Sequence, residues 1–155
     1  MNQPIPTIVQ PDTGKKLEAF GIELTVLISG EQSGGKLAVM SELIPPGGGP
    51  PPHVHHNEDE LFLVIEGPIS YFLDGEWTEV AAGGAIYLPK DTPHTYRNTS
   101  SSFSRHWVLT TPSGFENFFE KSAVEFAKPT GPDMGRIVEI ALENGIEFLQ
   151  PADNG

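Results

Sequence analysis

The chain has 155 residues, a formal net charge of -12 and no cysteine. That length suits one domain with its own core. The charge argues against nucleic acid and anionic membrane surfaces, both of which ask for basic patches, and the missing thiols exclude disulfides, thiolate metal sites and cysteine catalysis.

The N-terminus, Met-Asn-Gln-Pro-Ile-Pro, lacks a basic segment followed by an apolar run, so no signal peptide is expected and the cytoplasm is the expected compartment. The 17 glycines and 15 prolines suit short strands joined by turns. Residues 1–20 read as a polar arm, lying on the body or on a partner subunit. Residues 23–29 and 36–44 read as strands separated by a Gly-rich loop, the second stopped by Pro45-Pro46. A Gly-Pro loop over 47–52 leads into His53. Residues 61–65, Leu-Phe-Leu-Val-Ile, are apolar at every position. Such a run is buried on both faces, or on one face with a subunit contact on the other.

Asp74-Gly75 predicts a hairpin between strands at 69–73 and 77–80. Further strands are predicted at 85–88, 94–98 and 103–111. About eight strands at roughly 8–12-residue spacing mark an all-β sandwich or barrel. Beyond Pro112 the pattern turns helical. Ser113 and Glu116 form a candidate capping box, and Phe115, Phe118 and Phe119 share one face of the helix that follows. That helix is expected on the outside of the barrel rather than across its mouth. Asp133 is expected to cap a second helix, with Met134, Ile137, Val138 and Ala141 on one face. Gly145 supplies a left-handed end, and 146–149 form an extended tail. The division is thus one domain over 1–155, with an arm at 1–20, a barrel at 21–111 and a helical extension at 112–155.

The chemistry concentrates in two stretches. In Gly-Gly-Gly-Pro-Pro-Pro-His-Val-His-His-Asn-Glu-Asp-Glu, His53 and His55 lie two apart and share a strand face. Glu60 follows a polar turn that brings it back opposite the pair. His94 stands far along the chain, in Pro-Lys-Asp-Thr-Pro-His. Three imidazoles and a carboxylate make a borderline donor set for one divalent transition metal ion, whether Fe, Mn, Ni, Co, Cu or Zn. Phe62 and Val64 share parity with Glu60, and Tyr96 shares it with His94, so all three are candidate pocket residues. His106, on the last barrel strand, is a further candidate. His56 is expected at the surface, and Asn98 is expected to serve structure.

Gly47-x5-His53-x-His55-x4-Glu60-x6-Gly67 resembles the first cupin motif, and Gly83-x5-Pro89-x-Asp91-x2-His94-x3-Asn98 resembles the second. The departure is Asp91, where the family usually has glycine; aspartate tolerates a left-handed turn better than most residues. The resemblance covers roughly residues 36 to 111. It implies a double-stranded β-helix (a jelly-roll, or cupin, barrel) with one or two C-terminal helices. It also implies His53, His55, Glu60 and His94 as metal ligands, and a homodimer. The proline-rich run before His53 and the tail sequences Ser-Gly-Phe-Glu-Asn-Phe-Phe-Glu and Asn-Gly-Ile-Glu-Phe-Leu are similar to quercetinase-type cupins. That narrower resemblance implies a dioxygenase acting on a flavonol-like, oxygenated aromatic substrate, with dioxygen as co-substrate. In it Glu60 is the base that deprotonates the flavonol; the alternative for Glu60 is a fourth ligand. A sensor without turnover and a non-redox isomerase are the other expectations. Only Lys90, Arg97 and Arg105 lie near the proposed site, which disfavours a nucleotide-sugar isomerase.

Overall fold

The computed structural model describes residues 2–150. The expected extension to 155 therefore runs into residues 151–155, which lie outside the described residues. Eleven strands and three helices follow one another: β1 (Lys15–Ala19), β2 (Ile22–Ile28), α1 (Gly30–Ser33), β3 (Ala38–Ile44), β4 (His53–His55), β5 (Asp59–Glu66), β6 (Ile69–Leu73), β7 (Glu76–Val80), β8 (Ala85–Leu88), β9 (Thr95–Arg97), β10 (Ser104–Thr111), α2 (Phe115–Phe126), α3 (Met134–Glu143) and β11 (Ile146–Phe148).

One wall is a six-stranded sheet in the order β1-β2-β3-β10-β5-β8. The other is made of β7-β6-β9 and β11-β4, joined where His53 and His94 exchange backbone hydrogen bonds of 3.0 Å. The fold is a double-stranded β-helix. Leu24, Met40, Ile44, Phe62, Val64, Ile69 and Val108 fill the space between the walls. Among the described residues no helix is long and apolar enough to cross a membrane.

Several expectations need correction. Residues 15–19 were expected in the arm but form β1, because Leu17 and Ala19 face the core while Lys16 and Glu18 face out; β1 pairs with β2 along its whole length. The loop at 30–35 holds a helical turn with a full capping box between Ser29 and Gln32. Ser113 caps nothing. The N-cap of α2 is Gly114, and Glu116 accepts from its N–H at 2.9 Å and from the Gly30 N–H at 3.0 Å. Of the two expectations for the run at 61–65, burial on one face is the one found: Phe62 and Val64 are buried, while Leu63 and Ile65 face outward at 36% and 43% exposure. The extended tail at the end is a strand, β11, paired with β4.

Other expectations hold. Asp74 (φ 49°) and Gly75 (φ 82°) make the hairpin turn between β6 and β7. Asp133 caps α3 through the Arg136 N–H, and Gly145 has φ 70°.

Candidate metal centre

β4 is short because Pro50, Pro51 and Pro52 precede it and a tight polar turn follows. Its pleat turns the His53 and His55 rings to one side. His94 reaches them from the bridge to β4, and the rings of His53 and His94 lie 4.4 Å apart between centroids. The ligand atoms of all three imidazoles lie within 4.8 Å of one another, and all three side chains are buried. Glu60, at the start of β5, faces the same point. Its Oε1 lies 3.2 Å from His55 Nε2 and its Oε2 3.0 Å from His94 Nε2.

Each ring is held from behind through Nδ1. His53 Nδ1 lies 2.8 Å from the Pro51 carbonyl, His94 Nδ1 2.9 Å from the Thr92 carbonyl, and His55 Nδ1 3.1 Å from Glu58 Oε2. With these protons on Nδ1, the Nε2 lone pairs converge. The Nε2 atoms of His55 and His94 are buried and have no hydrogen-bond partner. Buried polar atoms left this way are rare, and a metal ion between them satisfies both, so the donor set fits a first-row transition metal. Glu58 was not expected here. It is 2% exposed, and in sequence it is lost among the neighbouring acids.

Burial and the charges of His94 and His55 push the His53 imidazole down to about 3. Burial acts to lower His55 as well, but the Glu60 charge and the hydrogen bond with Glu58 outweigh it, so His55 is raised. Burial acts to raise Glu60, and the surrounding imidazoles, His55 first, outweigh it and hold its carboxyl at about 2. The Glu60 group is thus an anion set among nitrogen donors.

The turn before His94 locks the two motifs together. Asp91 adopts φ 67°, and its N–H donates to the His55 carbonyl at 2.7 Å. Its carboxylate also holds His56 Nδ1 at 2.6 Å, and Glu147 holds the other ring nitrogen at 3.0 Å, so His56 is exposed but tethered. Asn98 is fully buried and serves structure: its amide donates to the carbonyls of Ile44 and Ser102.

The cluster opens into a narrow cavity of about 30 Å³ lined by apolar side chains, among them Phe62 and Tyr96. Val64 and His106 do not line it. Val64 lies deeper in the core, and His106 stands behind Glu42, with its Nε2 2.7 Å from that carboxylate. Helix α2 lies across the mouth, contrary to expectation. Phe115 meets the His55 ring edge-on at 5.1 Å, and Phe115, Phe118 and Phe119 close the cavity with Phe20 and Phe148. Phe20, just after β1, draws the helix there by stacking on Phe118 and packing at a tilt against Phe126.

Residues 40–110 match the Cupin domain family model. The double-stranded β-helix agrees with that match, and this stretch of the chain is a cupin domain. Over 116 residues, 74% of its length, the chain is 26% identical to the quercetin 2,3-dioxygenase of Bacillus subtilis, and it spans 34% of that protein. The polyketide cyclase RemF of Streptomyces resistomycificus superposes with a TM-score of 0.62 at 22% identity, over 70% of this chain and 81% of that one. A predicted oxalate decarboxylase of Thermotoga maritima gives 0.64 at 18% identity, over 68% and 99%. At such identities the two structures speak for the fold alone.

Proposed function

We propose that the protein is a metal-dependent dioxygenase for a planar, oxygenated aromatic substrate of flavonol type. The observation that carries this is Glu60, an ionised carboxylate within 3.2 Å of two metal-ready imidazoles at the wall of an aromatic cavity. A divalent transition metal held by His53, His55 and His94 would act as a Lewis acid toward a substrate oxygen, lowering its pKa. Glu60 accepts the hydroxyl proton of the bound substrate at Oε1 or Oε2. Phe62 and Phe115 flank the substrate ring, and the phenylalanines of α2 exclude water from the carbanion-like enolate that reacts with dioxygen. The likeness to a quercetin dioxygenase over 74% of the chain supports the same reading.

A three-ring flavonol exceeds the cavity's 30 Å³, so on this reading α2 moves outward to admit it.

Oxygen uptake by protein loaded in turn with Fe, Mn, Co, Ni or Cu, measured with a panel of flavonols, tests the proposal. Uptake with at least one pairing, lost in Glu60→Gln with metal retained, is expected. No uptake with any pairing overturns it.

A further inference from the structure

A second carboxylate faces the same cavity and takes no part in holding a metal. Glu42 lies on β3 in register with His106 of β10, which in turn stands opposite Val64 of β5. That backbone position is four residues along β5 from Glu60, and the Glu42 carboxylate itself lies near enough for its charge to act on His55 across the cavity. Glu42 is 2% exposed and lines the cavity. Burying a carboxylate is costly unless it is paired and hydrogen-bonded, and Glu42 is supplied from one side only. His106 Nε2–H and the Tyr96 hydroxyl both donate to its Oε2. The Tyr71 hydroxyl lies 2.7 Å from His106 Nδ1 and holds the ring from its other side. Among the described residues no lysine or arginine approaches Glu42, and no hydrogen bond reaches its Oε1.

The polar machinery behind Glu42 is therefore complete, while one oxygen remains with its acceptor capacity unspent beside an apolar cavity. A core that needed only packing has no use for this arrangement, since an apolar residue of similar volume serves at less cost. The lone acceptor fits a donor that arrives with the ligand.

We propose that Glu42 is a specificity-determining residue. Its Oε1 accepts a hydrogen bond from a phenolic hydroxyl or an amino group of the substrate other than the oxygen that faces the histidine cluster. His106, Tyr96 and Tyr71 are positioning residues that hold Oε2 and thereby aim Oε1. The inference rests on the aromatic-substrate reading above and adds the requirement for a second donor on the substrate. A ligand lacking that donor strands the carboxylate against carbon, which is how buried polar groups reject an analogue.

The test uses Zn-loaded protein, which binds without redox turnover, and two fluorescent probes, flavonol and 4′-hydroxyflavonol. Wild-type protein is expected to bind the hydroxylated probe about 10-fold to 100-fold more tightly, the worth of a hydrogen bond to a charged group. Glu42→Gln turns an amide N–H₂ toward the cavity and is expected to abolish that preference while leaving the affinity for flavonol nearly unchanged. Equal affinities in the wild type, or a preference that survives in Glu42→Gln, overturn the proposal and leave the aromatic reading standing. If neither probe binds, the aromatic reading falls and this inference with it. The wild-type comparison decides alone should Glu42→Gln fail to fold.

Discussion

Glu58→Ala isolates the support behind a single imidazole. The carboxylate is 2% exposed and holds His55 Nδ1 at 3.1 Å. Its removal leaves a buried N–H without an acceptor, at a cost of about 1–3 kcal/mol to the metal-free fold. It also frees the His55 ring to turn and makes its Nε2 less basic. Loss of such an outer partner lowers metal affinity by about 10–100-fold, or about 1.4–2.8 kcal/mol. Glu58→Gln retains an amide oxygen that accepts the same hydrogen bond without the charge, so its affinity is expected between the other two. Competition between the protein and a chelator for Co(II) or Zn(II) measures all three, with urea unfolding of the metal-free forms reporting the fold. A folded Glu58→Ala variant that binds metal as tightly as wild type refutes the reasoning, because His55 would then need nothing behind it.

Phe62 packs against four rings, those of Tyr71, His94, Tyr96 and His106. Phe62→Ala is expected to lose about 3–5 kcal/mol in urea unfolding, and a loss near that of a surface substitution would show that the barrel centre repacks. His56 is raised by its hydrogen bond with Asp91 and then by that with Glu147. Its tether thus contributes full stability below the ordinary imidazole value of 6.5, and that stability fades as pH rises through the raised value. Unfolding midpoints of wild type and His56→Ala should accordingly differ at about pH 5.5 and converge by about pH 9; an equal gap at both pH values contradicts this. At Gly49 a Cβ would overlap the Tyr96 carbonyl, so Gly49→Ala is expected to cost about 1–3 kcal/mol and to weaken metal binding in the same chelator assay.

What could be read from the sequence depended on how far apart the cooperating residues stand. His53 and His55 declare themselves by a spacing of two, and Asp74-Gly75 by local turn chemistry. His94 is legible only through its own motif, since 39 residues separate it from His55. The donors to Glu42 come from β9 and β10, and nothing local announces them. A faint signal existed: in Ala-Val-Met-Ser-Glu-Leu-Ile, Glu42 shares parity with Ala38, Met40 and Ile44, so an acid sits on the inward face of a core strand. The placement of α2 was missed for a different reason. Its apolar face was plain, but which surface that face would meet depended on Phe20, in a stretch read as an arm. Val64 was assigned to the pocket by parity alone; parity fixes the inward face, and depth along the barrel decides whether an inward residue meets the cavity.

The pairing of β11 with β4 carries a consequence for how the protein matures. Strand His53–His55 takes its ladder neighbour from Ile146–Phe148, about ninety positions later in synthesis. While the chain is still being made, the histidine-bearing strand has a bare edge and the phenylalanine cover is absent. The ligands come off the ribosome long before the scaffold that orients them is complete. A settled orientation of the His53 and His55 rings therefore waits for residues 146–148.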